Sequence, residues 1–543
     1  MLTWLIINLI QAGTTELFDD EAYYWMYSLY PAWGYFDHPP MVALLIRAGY
    51  TVFQNEFGVR FFIVLLNAGT VFLISLLIEK RNDKLFYSIL ASIAVAQIGG
   101  IIAVPDVPLL FFVSAFFLTY KRFVQQMNWG NTLLLAVSIA LMVYTKYHGL
   151  LIVFFTLISN LKLLKRYQPY LVAAISFLLL IPHLYWQYIH GFTSVHYHLF
   201  ERNANSYLVE FTSEYLVGQL ILAGPFIGWL LIWVSIRYKY SGLTEKALRF
   251  TLIGFFVFFM ISTFKGRVEA NWTLPAFVAL IVLSHQYLIN HPRLANTVYK
   301  TLPLTLLLVL AIRIFMMLDV KSPIKIGKDE VHQNREWVKS VSEKSAGMPV
   351  VFINSYQRPS KYWFYGKQPA LGMNTPAYRR NNYNFWPIEE SFIGKRVLAV
   401  GDYDSVILKD KLVATRFREA GAAIIPVFYS YMKAQITQVQ NKVSSNHITS
   451  SFNVTVPESY LNYFQKSFFD TASIQLAILH ISDAPKYYQS ATTVKEIRQS
   501  VSDLEVHFAV QLPKGMYNAR LGISSAIPGH PTLNSTSFRL YVD

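Results

Sequence analysis

The chain has 543 residues and a formal net charge of +15, yet only 15% of its residues are charged while 54% are hydrophobic. Soluble globular proteins carry about 25% charged residues, so the composition excludes a wholly soluble chain, and the lack of cysteine excludes disulfides and thiolate metal sites. The surplus Lys and Arg residues lie in short loops between apolar runs, which is a membrane-topology pattern and not a nucleic-acid-binding surface.

Residues 1–318 predict an α-helical polytopic membrane domain. Loops rich in Lys and Arg alternate with loops that hold few, and such cations favour the cytoplasmic side. This alternation predicts a cytoplasmic N-terminus and an extracytoplasmic C-terminal region. The three segments 107–120, 131–145 and 149–161 are short, and we expect them to be tilted, re-entrant or broken. The eleven apolar segments are about 1–13, 58–78, 85–104, 107–120, 131–145, 149–161, 169–189, 214–236, 249–264, 273–289 and 301–318.

The outer loop 14–57 predicts two amphipathic helices, at 20–30 and 40–53, that lie along the membrane surface. Its aromatic residues suit the membrane interface: Trp25, Tyr27, Tyr30, Trp33 and Tyr35.

Two candidate sites lie in this loop. The first is Asp19-Asp20-Glu21, which is either a solvated helix start capped by Asp19 or a carboxylate general base beside a membrane cleft. The second is Asp37-His38, which is either a plain turn or a pair held in fixed directions by Pro39 and Pro40.

Two further candidate sites lie at predicted outer membrane ends, where charge is costly and often functional. Asp106 stands between Pro105 and Pro108, in a turn that joins two apolar runs. Lys265 and Arg267 flank a glycine on the side that otherwise holds few cations, which suits either phosphate binding or snorkelling to lipid headgroups. Lys146 and His148 lie at another outer turn, near enough to the membrane end to contact a ligand. His196 and His198 have metal-ligand spacing without a clear third ligand.

The C-terminal region reads as soluble sequence. A helix at 330–345 and buried strands at 348–353 and 397–403 predict a small α/β domain over 319–435. Alternating strands then predict a β-sandwich over 450–543. We expect both to be an accessory module because they lack a clustered set of charged groups.

Residues 15–320 resemble the GT-C glycosyltransferases, in particular the bacterial family 39 branch of protein O-mannosyltransferases and lipid A aminoarabinose transferases. The acidic pair Asp20-Glu21 looks like that group's hallmark, and the segments 36–40, 105–112, 265–267 and 269–275 are similar to its later motifs. His38 stands where the aminoarabinose enzymes use lysine, which predicts a pH-dependent phosphate contact.

The resemblance implies an inverting transfer from a polyprenyl-phosphate sugar to an extracytoplasmic glycan, lipid or protein at the bacterial plasma membrane. No cofactor is required, although the carboxylates leave room for a divalent metal. With this chemistry, Asp20 and Glu21 are the candidate catalytic residues, and Lys265, Arg267 and His38 are the candidate phosphate ligands. Substrate binding then falls to Asp37, Asp106, Glu269 and Asn271.

Two other functions fit a polytopic chain. A flippase for lipid-linked glycans predicts internal repeats and charge at the bilayer midplane, whereas this sequence has no repeats and its charges lie at one face. A glycan polymerase or ligase would use a pyrophosphate-linked donor.

Overall fold

The computed structural model describes residues 1–202, 207–318, 329–404, 406–412, 420–444, 447–466, 468–479 and 485–542. The chain divides into two compact units, Met1–Ile324 and Lys325–Asp543. The predicted boundary at residue 319 lies outside the described residues.

Helices make up the first unit, and they begin and end close to the predicted apolar segments. Their bounds are α1 (Leu2–Thr14), α2 (Asp19–Leu29), α3 (Met41–Val52), α4 (Glu56–Leu77), α5 (Asp83–Ser92), α6 (Ala94–Ile98), α7 (Asp106–Gln125), α8 (Trp129–Thr145), α9 (Gly149–Ser159), α10 (Gln168–Ile189), α11 (Thr193–His196), α12 (Val209–Ala223), α13 (Gly228–Arg237), α14 (Leu243–Ser262), α15 (Phe277–Leu288) and α16 (Pro292–Met317).

The span count of eleven is not confirmed. Among the described residues, four helices are long and apolar enough to cross a membrane, namely α4, α7, α10 and α16. The count rises to six if two bent helix pairs each form one span. Further apolar helices of 10–17 residues include α1, α8 and α9.

The breaks do not lie only where the sequence predicted them. Segment 107–120 belongs to the continuous helix α7, so of the three expected forms the broken one does not occur there. Instead, α5 meets residues 94–101 at 86°, and α12 meets α13 at 89°. The second break contains Gly224 at a φ of 143°, which L side chains rarely adopt. The two breaks adjoin, because a Cβ on Gly224 would lie 3.0 Å from the carbonyl oxygen of Ser92.

The two predicted surface helices are present as α2 and α3. Three of the aromatic residues expected at the membrane interface are instead buried inside the unit: Trp25, Tyr27 and Tyr35 are at most 2% exposed. Burial of such large rings contributes strongly to packing, which outweighs their preference for the interface. Trp33 remains 57% exposed, as an interfacial residue should.

One helix lies at the centre of the first unit. Residues 277–286 of α15 are all buried, and they pack with α5, α7 and α14 in one hydrophobic core. A helix that is apolar on all sides is expected in such a position. The neighbouring helices therefore surround α15.

The second unit contains an α/β layer and a β-sandwich. The α/β sheet has the strand order β2-β1-β3-β5-β4, with β1 parallel to β2 and β3, and β5 antiparallel to β3. Its elements are α17 (Asn334–Ser345), β1 (Val350–Ile353), α18 (Gln357–Gly366), β2 (Ala370–Met373), β3 (Val397–Asp402), β4 (Asp410–Leu412) and β5 (Ala420–Ile425).

Antiparallel strands form the sandwich, in the orders β10-β7-β6 and β12-β11-β8-β9, and β13 also pairs with β11. Alternate residues of both sheets form a shared core. The strands are β6 (Gln435–Ser444), β7 (His447–Thr455), β8 (Ser473–Leu479), β9 (Lys486–Thr493), β10 (Val501–Ala509), β11 (Gly515–Ile523), β12 (Thr532–Leu533) and β13 (Phe538–Val542), with helix α19 (Glu458–Phe464) between β7 and β8.

Candidate active site

Helix α2 brings the acidic triplet to one end of the first unit. The helix begins at Asp19 and its N-cap residue is Phe18, so the prediction of Asp19 as N-cap is wrong by one position. Glu21 explains the shift, because its carboxylate accepts the Phe18 N–H at 2.9 Å and thereby caps the helix. Asp19 is 3% exposed, whereas Asp20 is half-buried.

Glu21 lies in a fully enclosed ion pair with Arg60 of α4. Both Glu21 oxygens accept from the guanidinium, at 2.8 and 2.5 Å, and both side chains are 0% exposed. Arg60 also donates to backbone carbonyls at the end of α1 and beyond it, including that of Thr15 at 2.6 Å. Glu21 accepts the Ala103 N–H at 2.7 Å, so the pair ties the start of α2 to the segment that leads into α7.

Asp106 forms a second buried ion pair on the same side of the unit. The Lys146 ammonium donates to Asp106 Oδ1 at 2.7 Å, and Asn271 Nδ2 donates to Asp106 Oδ2 at 3.2 Å. Asp106 and Lys146 are each 6% exposed. The structure thus joins three residues that are distant in sequence, and two of them, Asp106 and Asn271, were predicted site residues.

An apolar cavity of about 240 Å³ opens against this cluster. Asp106 and Asn271 line it, as do the polar residues Asn67 and Thr70, and the remaining wall comes mainly from apolar side chains of α4, α5, α7 and α15. The broken segment 94–101 supplies part of the wall. A cavity with apolar walls and a polar end suits a ligand that has a hydrocarbon chain and a polar head.

The segment that carries Asp37 and His38 is fixed through its backbone. The carbonyl oxygens of Trp33, Tyr35 and Asp37 contact side chains of α10, α11 and the π-helical turn 197–201. The distances are 2.6 Å from His183 to Trp33, 2.8 Å from Ser194 to Tyr35, and 2.9 Å from His198 to Asp37. These partners were not predicted. They fix the 33–37 segment against α10, α11 and this turn.

His38 lies beside the face of α2 that carries Asp20. Its ring meets Tyr24 edge-on at 5.5 Å, and Tyr24 follows Asp20 by one helical turn. Burial, and then the positive charge of Lys146, hold the pKa of His38 well below its usual range. This environment favours the neutral ring, and the pH-dependent phosphate contact at His38 stays a prediction.

A cluster of rings extends the site beyond Lys146. The rings of His148, Phe259 and Trp272 contact one another, with centroids 5.4–5.7 Å apart, and Arg202 lies over the Trp272 ring at 4.5 Å. Burial first, and then Lys146, also lower the pKa of His148 well below its usual range. The sequence does not distinguish Arg202, because it is one of several cations in the loops between the apolar segments.

The predicted phosphate ligands Lys265 and Arg267 are exposed. Arg267 pairs with Glu214 at 3.2 Å, where the side chains are 62% and 54% exposed, and Glu269 is exposed as well. No group of three His, Asp or Glu side chains suited to a metal occurs within the described residues. His198 uses its Nε2 in the contact with the Asp37 carbonyl, which removes one metal-binding atom of the His196-x-His198 pair.

Known proteins resemble parts of this chain. A family model described as dolichyl-phosphate-mannose-protein mannosyltransferase matches residues 37–186. The lipid A galacturonosyltransferase RgtD of Rhizobium johnstonii (strain DSM 114642 / LMG 32736 / 3841) is 25% identical over 305 residues, which cover 52% of this chain and 62% of the relative. The chain therefore spans less than two thirds of that relative.

A solved structure shares the fold. ArnT from Cupriavidus metallidurans, bound to undecaprenyl phosphate, superposes with a TM-score of 0.58 at 12% identity, over 78% of this chain and 96% of its own. Its apo form gives the same TM-score and coverage at 13% identity.

Proposed function

We propose that this chain is a membrane glycosyltransferase of the GT-C type, which moves a sugar from a polyprenyl-phosphate donor to an extracytoplasmic acceptor; the family-model match, the relative and the shared fold support this proposal. The observation that carries this proposal is the Asp106–Lys146–Asn271 cluster at the end of an apolar cavity. The cavity suits the prenyl chain and the cation suits the phosphate. The same complementarity is what a polyprenyl phosphate requires of its binding site.

Lys146 and Arg202 are the proposed phosphate-binding cations. Asp106 fixes the Lys146 ammonium, and the Trp272 ring supports the Arg202 guanidinium. Cations held in advance stabilise the charge that develops on a departing phosphate, because they need not reorganise during the reaction. The exposed Lys265 and Arg267 attract the donor to the site from further out.

Asp20 is the proposed general base. Its carboxylate takes the proton of the acceptor hydroxyl while that oxygen forms a bond to the anomeric carbon of the sugar. The bond between the anomeric carbon and the phosphate oxygen breaks, and its electron pair leaves with the polyprenyl phosphate. Attack opposite the leaving group inverts the anomeric configuration. Glu21 serves as a positioning residue, because its pair with Arg60 fixes the helix that carries Asp20.

Polar groups around the two cations bind the sugar. Asp37, whose carbonyl contacts His198, and Asn271, which donates to Asp106, are proposed to offer hydrogen bonds to the sugar hydroxyls. His38, as a neutral ring, adds a hydrogen bond and no charge. Glu269 is exposed and lies two residues before Asn271. We propose that it contacts the solvent-facing part of the substrate.

The proposed location is the bacterial plasma membrane, with the site and the second unit facing outward and the second unit as an accessory module. The alternating loop charges support this orientation. Reporter fusions after Lys84 and Arg166 should report the cytoplasm, and a fusion after residue 330 should report the outside. A cytoplasmic signal at residue 330 would contradict it.

Donor chemistry tests the proposal directly. The purified protein in detergent is given one sugar on undecaprenyl phosphate and, separately, on undecaprenyl diphosphate, with cell-envelope extract as acceptor. We expect undecaprenyl phosphate to be released from the monophosphate donor only, and the product to have the inverted anomeric configuration by NMR. Use of the diphosphate donor alone would indicate a polymerase or ligase. Passage of an unchanged donor across a liposome membrane would indicate a flippase.

A further inference from the structure

Arg313 is a buried cation in α16, one of the four helices that are long and apolar enough to cross a membrane. Its guanidinium donates to three neutral oxygens: Gln11 Oε1 at 2.5 Å, Asn8 Oδ1 at 2.7 Å and the Gln97 carbonyl at 2.6 Å. Within the described residues, no carboxylate pairs with it. A charge at membrane depth is costly and commonly serves a function, so the unbalanced charge of Arg313 points to an anionic ligand nearby.

Hydrogen bonds lead from Arg313 to the wall of the apolar cavity that Asp106 lines. Asn8 accepts from Arg313 through its Oδ1, and its Nδ2 donates to Asn67 Oδ1 at 3.3 Å. The indole N–H of Trp4 donates to the same Asn67 oxygen at 2.7 Å. Trp4 and Asn67 both line the cavity. This chain of bonds therefore begins at a buried cation and ends at an amide on the cavity wall.

Groups that can only donate fix the direction of each bond in the chain. A guanidinium and an indole carry N–H donors and no acceptor. Asn8 must therefore turn its oxygen to Arg313 and its NH₂ to Asn67, and Asn67 must turn its oxygen to Trp4. Both lone pairs of Asn67 Oδ1 are then in use, and the NH₂ of Asn67 is left for another acceptor.

The Asn67 NH₂ has no partner in the part of the chain that the structure describes. Asn67 is 6% exposed, and its two hydrogen bonds both go to Oδ1. A Cβ on Gly100, another residue of the cavity wall, would overlap Asn67 Nδ2, so the glycine leaves the space that this amide occupies. A buried N–H without an acceptor is costly, and a ligand that brings an acceptor into the cavity removes that cost.

We propose that the Asn67 NH₂ donates to the phosphate of the lipid substrate, and that Arg313 is a positioning residue that strengthens this donor through Asn8. The proposal rests on the proposed function. Successive hydrogen bonds that point the same way polarise one another, so a cation at the start of the chain makes the last N–H a stronger donor. Such a donor favours a charged phosphate oxygen over a sugar hydroxyl.

The charges around the cavity agree with an anionic ligand. Asp106 lines the same cavity, but its carboxylate is paired with the Lys146 ammonium at 2.7 Å. Arg313 has no such pair in the described residues, so the net charge beside the cavity is positive. A lipid without the phosphate offers the Asn67 NH₂ no acceptor. The amide therefore gives the cavity a preference for polyprenyl phosphate over the corresponding alcohol.

Two lipids that differ only in the phosphate test the donor. The full-length protein in phosphatidylcholine nanodiscs is titrated with undecaprenyl phosphate and, separately, with undecaprenol. Asn67→Leu keeps the approximate size of the side chain and removes its NH₂. The affinity for undecaprenyl phosphate should fall by about tenfold, which is the contribution of one hydrogen bond to a charged group. The affinity for undecaprenol should stay equal or rise, because no buried donor is left unsatisfied.

A distorted cavity would weaken the binding of both lipids. An equal fall for the two lipids, or an unchanged affinity for undecaprenyl phosphate, would overturn the proposal. Asn67→Asp gives a second test if the leucine variant does not fold. It keeps acceptors for Trp4 and Asn8 but replaces the NH₂ with an oxygen. Its affinity for undecaprenyl phosphate should fall by more than its affinity for undecaprenol, and the opposite order would contradict the assignment.

Thr70 supplies the matched control. It lies on α4 with Asn67, lines the same cavity and is also 6% exposed, but its hydroxyl donates to the Leu66 carbonyl at 2.8 Å. Thr70→Val keeps the shape of the side chain and removes a donor that the helix already uses, so both affinities should be retained. A loss of undecaprenyl phosphate binding as large as that of Asn67→Leu would remove the special role of Asn67.

Asn8→Asp tests Arg313 while its charge stays satisfied. The new carboxylate accepts from Arg313, but it has no N–H to donate to Asn67. If Arg313 only held helices together, this variant would bind undecaprenyl phosphate as the wild type does. We expect the melting temperature to be retained and the affinity for undecaprenyl phosphate to fall by less than in Asn67→Leu, because the Asn67 donor is still present. An undiminished affinity would overturn the role of Arg313.

The outcomes separate this proposal from the proposed function. If Asn67→Leu loses undecaprenyl phosphate as expected but the wild type transfers no sugar, the proposed function fails while the phosphate-binding amide stands. If the wild type transfers sugar and Asn67→Leu binds undecaprenyl phosphate normally, the amide assignment fails while the function stands.

Discussion

Two buried ion pairs lie at the same end of the first unit, and their surroundings differ. Glu21–Arg60 has no exposed surface, and backbone groups satisfy much of its remaining hydrogen-bonding capacity. Asp106–Lys146 is 8% and 7% exposed by side chain, has Asn271 as a third partner, and lies at the end of a cavity. The first pair joins helices, whereas the second borders space that a ligand can enter.

Burial of a charge does not by itself mark a catalytic group. A buried pair whose donors and acceptors are all used within the protein has nothing left to offer a substrate. A pair at the edge of a cavity keeps part of its capacity for a ligand. We therefore assign positioning to Glu21 and phosphate binding to Lys146, and each assignment predicts a different response to mutation.

The largest expected effect is on turnover when Asp20 is changed. Asp20→Asn keeps the size of the side chain but removes the basic carboxylate, so turnover should fall by on the order of 10²–10⁴-fold. Donor binding should change little, because Lys146 and Arg202, and not Asp20, are the proposed phosphate-binding cations. Sugar transfer and donor affinity are both measured in detergent with a defined polyprenyl-phosphate sugar.

Asp19→Asn is the comparator for that experiment. Asp19 is buried beside Asp20, and its substitution should leave most of the turnover in protein that remains folded. If Asp19→Asn abolishes transfer while Asp20→Asn retains it, the base is Asp19 and the assignment of Asp20 is wrong.

Breaking the enclosed pair should chiefly cost stability. Arg60→Ala leaves the Glu21 carboxylate buried without its cation, at an expected cost of about 3–5 kcal/mol. This should appear as a lower melting temperature and as loss of the monodisperse peak in gel filtration. The double variant Glu21→Gln/Arg60→Met removes both charges and should recover part of the stability. A stable Arg60→Ala protein that binds donor but transfers no sugar would instead place this pair in the chemistry.

Breaking the cavity pair should chiefly cost activity. Lys146→Ala removes a preorganised phosphate-binding cation, so turnover should fall by on the order of 10²–10³-fold with weaker donor binding and a smaller change in melting temperature. Lys146→Arg keeps the charge and should recover part of the activity. Arg267→Ala is the matched control: its exposed pair with Glu214 is worth about 0–1 kcal/mol, so the loss should be small. The reverse order of effects would assign the phosphate to Arg267.

The smallest expected effect is the pH dependence. His38 and His148 have pKa values well below the ordinary value of about 6.5, because of burial and then Lys146. The unfolded chain binds protons below about pH 6.5 that the folded chain does not, so stability should fall as the pH drops below that value. Melting temperatures from pH 8 to 5 check this, and His38→Gln should flatten the acid side of the curve. Donor affinity should stay constant between about pH 6.5 and 8. A loss of affinity through this range that His38→Gln removes would show that His38 binds the phosphate as a cation.

Local sequence patterns predict the apolar, helical character of the first unit and the positions of most helices and strands. Apolar runs, interfacial periodicity and alternating strands are local patterns, so helices α2 and α3 and the sandwich strands β7, β8, β10 and β11 lie where they predict. The charged motifs at loop ends also followed from local sequence, because charge between two apolar runs is rare.

Which of the charged side chains in these motifs contact one another depends on the tertiary structure. Asp106 is 40 residues from Lys146 and 165 residues from Asn271, and no local pattern records such a contact. The same holds for Glu21 and Arg60, which are 39 residues apart, and for the histidine and serine side chains that hold the 33–37 segment. Hydrophobic periodicity specifies which face of a helix is buried, but the partner of a buried charge depends on how the helices pack. For that reason the sequence placed Glu21 and Asp20 together as catalytic residues, and the packing of α1, α2 and α4 around Arg60 distinguishes them.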